Sequence, residues 1–327
     1  MKKFLLIISV IFSLLFSSTN IQLTSAEEIK NSEITNCGKI ENEIIRITNK
    51  YGAFVGNGFV YKVNDEDAYI ITSDKLVLSD KDNKVIYSDG TRKDVSIFGK
   101  NSYNGVMILK TIKANNVKGV CLSDSYLFMP GQSNILYGYS DNDNLYVEKT
   151  FFNKQGVLVY KKDYINVYKS IIQAKYENYK EGMAVVDELG NLVGMISGNT
   201  TKLNENSFIV EVNKLTKIAD SIVKSRIYQI NYIKYSLEDY GSLDYYSLNS
   251  YKVNKNVSYG VVITTFKPLN YIFGGLNQGM VIQAVNSVMV KNGYELDNQL
   301  SRYKKGDTVC LSVIKRNGKT AYYYVKV

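Results

Sequence analysis

A mainly β chain of two domains, the first closed by a helix, is what this sequence predicts. Two patterns carry the prediction. Short apolar runs separated by turn residues recur from Phe54 to about Ile209, a pattern that argues for a β-barrel or sandwich. One clear helical period follows, with Leu215, Ile218, Ala219, Ile222 and Val223 at i, i+3, i+4, i+7 and i+8. A length of 327 residues leaves room beyond Arg226 for a second domain with its own core.

Residues 1–26 read as a secretory signal. Lys2 and Lys3 start it, Phe4 to Phe16 is apolar but for two serines, and Thr24-Ser25-Ala26 suits cleavage. That core is shorter than the ~20 residues of a spanning helix, although an uncleaved anchor is the alternative. Residues 27–51 form a lead-in with Ile40, Ile44, Ile47 and Tyr51 at helical spacing, and its type stays open. Strands are then expected at Gly58–Tyr61, Ala68–Thr72, Lys84–Tyr87, Val95–Phe98 and Val106–Leu109, with turns at Asn64–Asp67 and Asp89-Gly90. A second set spans roughly Asn134 to Ile209. Within it, Ala184–Val186 and Leu192–Ile196 flank Asp187–Asn191, a tight hairpin in which Gly190-Asn191 tolerates positive φ.

Composition excludes several functions. The chain contains no His, so no Ser-His-Asp or Cys-His relay can exist in it, and the commonest zinc ligand is missing. No metal and no cofactor is expected. The net charge of +9 is spread along the chain, which suits an anionic cell wall better than nucleic acid. Cys37, Cys121 and Cys310 are odd in number and far apart, so they read as buried or idle thiols without a disulfide framework.

The ordered set of motifs resembles the HtrA/Deg family of trypsin-like serine proteases. Gly56-Asn57-Gly58-Phe59 is similar to that family's opening G-S-G-F strand, and Tyr69 to Val77 to its Y-I-L-T-N-N-H-V-V segment. Asp89-Gly90, Ile97–Lys100, Gly105–Lys110, Leu122–Ser125, Pro130-Gly131 and Ser207–Val210 match later landmarks in order, and the Ala184–Ile196 hairpin matches the one after the nucleophile. Beyond Arg226, Gly275-Leu276, Gly279–Asn286, Gly306–Val313 and Asn317–Lys319 resemble a PDZ module. The resemblance implies a trypsin-like double β-barrel over residues 52–226, followed by a PDZ-like α+β domain over 227–327.

It also implies where the chemistry would sit. Lys75 falls on the family's histidine, Gly105 on its aspartate (Asn104 if the match slips by one), Glu181 on its serine, and Tyr179 on the oxyanion-hole glycine. All of these are substituted, so the expectation is a protein that is no enzyme: a secreted or envelope-bound pseudoprotease serving as a peptide-binding scaffold or regulator. The alternatives are the serine-type endopeptidase the family implies and a purely structural envelope protein. Ser73 and Lys75 could pair, but such a pair would point away from any oxyanion hole. Opposite charges at Lys75 and Glu181 are expected to form an ion pair across the cleft. PDZ modules add a peptide strand to a sheet edge. The resemblance therefore assigns peptides or protein C-termini to Tyr228, Gln229, Ile230, Asn231, Tyr232, Ile233, Lys234 and Tyr235, facing Leu296 and Leu300 on a short helix. A homo-oligomer is left open.

Overall fold

Turn chemistry and alternating burial wind the first strands into a closed barrel. The computed structural model describes residues 37–78, 82–125, 128–141, 144–162, 165–174, 180–199, 206–226, 235–265 and 275–327. A single helical turn, α1 (Ile40–Glu43), leads into β1 (Ile44–Thr48). With β2 (Phe54–Val63), β3 (Asp67–Ser73), β4 (Asn83–Ile86), β5 (Arg92–Asn101) and β6 (Val106–Ile112) it closes antiparallel in the order β1-β2-β3-β6-β5-β4. Asn64 shapes the β2–β3 turn, its Oδ1 accepting from the N–H groups of Glu66 and Asp67. Because β1 is a barrel strand, the first barrel begins inside the stretch expected to be a lead-in. Its isoleucines Ile44, Ile45 and Ile47 are fully buried, and that burial overrides their helical spacing.

The same lead-in corrects the reading of the cysteines. Cys37 and Cys121, 84 residues apart in sequence, form a disulfide with Cα atoms 5.1 Å apart. Gly38 N–H donates to Gly119 O beside it, and the buried carboxylate of Glu43 accepts from the N–H groups of Lys118 and Gly119. Spacing along the chain could not reveal a bridge that the barrel itself brings together. Cys310 is free.

The second barrel comprises β7 (Ser133–Tyr139), β8 (Leu145–Lys162), β9 (Ile165–Gln173), β10 (Ala184–Val186), β11 (Leu192–Asn199) and β12 (Asn206–Glu211), closed in the order β10-β11-β12-β9-β8-β7. The expected hairpin is there, with Asp187 N–H donating to Asn191 O and Gly190 at φ +84. Helix α2 (Val212–Ser225) then buries Leu215, Ile218, Ala219 and Ile222 against both barrels in one shared core. It stops at Arg226, whose left-handed φ of 63 turns the chain and lays its guanidinium 3.5 Å from the Phe98 ring centre.

A third sheet follows, with one edge at β13 (Ser236–Asp239). After the short helix α3 (Tyr245–Ser250) come β14 (Val261–Thr265), β15 (Val281–Val285) and β16 (Val288–Met289). Helix α4 (Gly293–Leu300) precedes the terminal hairpin β17 (Thr308–Ile314) and β18 (Thr320–Lys326), and the sheet order is β13-β14-β15-β17-β18 with β16 on β15. Its core is separate and includes Val285, Leu296, Leu300, Leu311 and Val313. Among the described residues no helix is long and apolar enough to cross a membrane; the expected signal segment lies outside them.

Candidate active site between the barrels

Where the two barrels meet, Asn57 of β2 holds them together. Its N–H donates to Glu181 O at 2.9 Å, its Nδ2 to Tyr139 O at 3.1 Å, and its Oδ1 accepts from Tyr139 N at 2.6 Å. Gly182, at φ +82, lets the turn before β10 come this close, because a Cβ there would stand 1.8 Å from Asn57 O. Alongside, the ends of β3, β6, β9 and β11 meet in a crevice where Lys75 is exposed and Glu181 half-buried, while Lys169, Ser197 and Gly198 are buried.

The sequence-predicted positions Lys75, Gly105 and Glu181 do converge on this crevice. Gly105 has φ +76, and a Cβ on it would meet Ser197 Oγ at 2.3 Å, Lys169 Nζ at 3.1 Å and Asp74 Oδ1 at 3.5 Å. The Glu181 carboxylate accepts from Gly198 N–H, at 3.0 Å to Oε1 and 3.2 Å to Oε2. The Lys75 amine lies 2.6 Å from where a Gly198 Cβ would be. The expected Lys75–Glu181 ion pair does not form: Lys75 enters none of the ion pairs among the described residues. Both side chains gather at Gly198 instead, because its N–H is a closer partner for the carboxylate. Ser73 is buried and its Oγ accepts from Lys75 N–H at 3.3 Å, so it meets the backbone of Lys75 and not its amine.

Two residues of this site escaped the sequence reading. Lys169 of β9 is 8% exposed, and its Nζ donates to Ser197 O at 2.6 Å and lies 3.1 Å from Ser197 Oγ. Burial pulls its pKa down to about 8, with the Lys75 charge adding to the shift while Glu181 and Asp74 oppose it. Ser197, fully buried, donates its hydroxyl to Gly105 O at 2.9 Å. A lysine within the apolar strand Ile165–Gln173 was the available signal, and only the missing side chain at Gly105 gives it room.

The remaining predicted positions lie elsewhere. Tyr179, and Tyr228 through Lys234, fall outside the described residues. Tyr235, Leu296 and Leu300 sit together in the core of the third sheet, each under 10% exposed. No group of three or more metal-ligating side chains occurs among the described residues.

No family model matches the chain. It is 24% identical over 287 residues to a serine protease HtrA-like protein of Staphylococcus haemolyticus, covering 84% of this chain and 45% of that one. It is 23% identical over 285 residues to one of Staphylococcus aureus USA300, covering 84% of this chain and 37% of that one. The chain thus spans under half the length of these curated relatives. Among solved structures, the HtrA-type protease AlgW with a decapeptide superposes with a TM-score of 0.62 at 14% identity, over 90% of this chain and 96% of that one. A serine endoprotease from Yersinia pestis gives 0.54 at 16%, over 90% and 96%. The trypsin-like double β-barrel is borne out by these superpositions. The curated relatives, named serine proteases, overturn the expectation that the chain is no enzyme, and the substitutions alone do not establish a loss of catalysis. The chain is a homologue of the HtrA-like serine proteases.

Proposed function

We propose that this chain is a serine-type endopeptidase of the cell envelope whose proton acceptor is a lysine amine instead of an imidazole. One observation carries the reading: Lys169, the amine held near neutrality at about 8, lies 3.1 Å from the Ser197 hydroxyl inside the crevice. A lysine desolvated in this way is a recognised general base. In the step it would support, the Ser197 hydroxyl turns from Gly105 O to the neutral amine, its proton passes to Lys169 and Oγ bonds the scissile carbonyl carbon. The C–N bond then breaks and the departing amine takes the proton. Water releases the acyl group by the same relay.

Peptides are the fitting substrates, since AlgW is a structural neighbour solved with a decapeptide. The third sheet, read as a PDZ-like module, would hold their extended segments at an edge. An envelope location, through a leader at residues 1–26, is supported by the Cys37–Cys121 disulfide, a bond that persists in oxidising compartments. Casein digestion by the purified chain tests the reading. Cleavage should rise with pH through about 8, as Lys169 loses its proton, and fall by ~10²-fold or more in Lys169→Met. Wild-type chain that cleaves no more than a heat-denatured control between pH 6 and 9 would sink it.

A further inference from the structure

We propose that the crevice between the barrels is a carboxylate-binding site, that Glu181 is its resident occupant, and that extended peptides bearing a carboxylate displace it. The inference rests on the reading that the chain acts on peptides and names the kind of peptide.

The site begins with an interruption in β11. β10 pairs with it as far as Met195, and the turn before β10 reaches Ile196 through Gly182 N–H to Ile196 O and Ile196 N–H to Met183 O. On the other side the register with β12 jumps between Ile196 and Asn199. Ser197 and Gly198 therefore fall in a bulge, and Gly198 adopts φ +97. Their main-chain groups are served by side chains: Lys169 donates to Ser197 O, and Gly198 N–H donates to Glu181.

What surrounds Gly198 N–H is suited to an anion. Lys75 stands over Gly198 with an amine that enters none of the ion pairs among the described residues. Lys169 lies close enough to Glu181 to feel its charge. Both oxygens of Glu181 share the one N–H, a charge-assisted bond. Asp74 is the opposing charge on β3's end, so removing Glu181 leaves two amines against one carboxylate. Glu181 is only half-buried and enters no ion pair among the described residues. Among the described residues the Gly198 N–H is the hydrogen-bond partner of its side chain, and a ligand carboxylate can accept the same bond.

The test uses the full chain and three probe peptides: an N-acetylated pentapeptide amide with one central glutamate, its glutamine counterpart, and an all-alanine pentapeptide with a free C-terminus. The glutamate peptide should bind Glu181→Ala at least about tenfold more tightly than wild type, and Lys75→Met on that background should abolish the gain. The glutamine peptide should show no gain. The free C-terminus should gain if main-chain carboxylates fit, and failure there limits the ligand to acidic side chains. A folded Glu181→Ala chain that binds glutamate and glutamine peptides alike, or no better than wild type, overturns the proposal. If Glu181→Ala does not fold, Glu181→Gln carries the same comparison, with a smaller gain expected and equal binding again decisive against it. Casein cleavage that persists while glutamate selectivity is absent separates this failure from failure of the endopeptidase reading.

Discussion

The crevice between the barrels and the seam between the second barrel and the third sheet both bury ionisable groups, but satisfy them differently. In the seam, Glu211 is 6% exposed and accepts from Ser170 Oγ of β9 and, at 2.5 Å, from Tyr294 OH of α4. Tyr294 stacks edge-on against Tyr168, and Lys214 pairs with Asp297 at 2.7 Å with both side chains under a fifth exposed. Glu211 and Lys214 there each have a side-chain partner fixed on the opposing element. In the crevice, Glu181 and Lys169 meet main-chain groups of a bulge. A buried charge answered by a facing side chain holds two bodies together. The bonds from Lys169 and to Glu181 stay within the second barrel and tie no opposing element.

The largest expected effect tests the seam. Glu211→Ala leaves the Tyr294 and Ser170 hydroxyls without their acceptor and should cost ~2–4 kcal/mol in urea unfolding, whereas Glu181→Ala should cost under ~1 kcal/mol. Equal losses would break the comparison.

Next is pH. Lys169 falls from 10.5 to about 8 on folding, so the unfolded chain holds the proton more tightly. Stability tied to this group is complete above 10.5 and declines as pH falls through 8, by ~3 kcal/mol. Lys169→Met should lack this decline, and melting temperatures of both chains between pH 7 and 10.5 would reveal it. Glu211 has the opposite sign: burial raises its pKa, so its stabilising contribution is complete at acid pH below 4.5 and is lost as pH rises. Parallel pH profiles for wild type and Lys169→Met would refute the buried-amine account.

The smallest effect sharpens the seam further. A double-mutant cycle on Lys214→Met and Asp297→Asn should give a coupling of about 1 kcal/mol, above that of a solvated pair because both partners are largely shielded. A coupling near zero would show that shielding adds nothing to this pair.

Local sequence determined the local elements of this protein. The hairpin at Asp187–Asn191, the stripe from Leu215 to Ile222 and the closing Asn317-Gly318 turn were legible because turn chemistry and side-chain period act over a few residues. The convergence of Lys75, Gly105 and Glu181 on one crevice was legible from the order of motifs. Tertiary structure alone decided the Cys37–Cys121 bridge, the seating of Lys169 in the space left by Gly105, and the Glu211–Tyr294 bond between β12 and α4. It also decided that Glu181 would face Gly198 N–H and not Lys75. The reason is physical: each of these depends on atoms brought within a few ångströms by barrel closure and module docking, and no spacing along the chain encodes which atoms those will be.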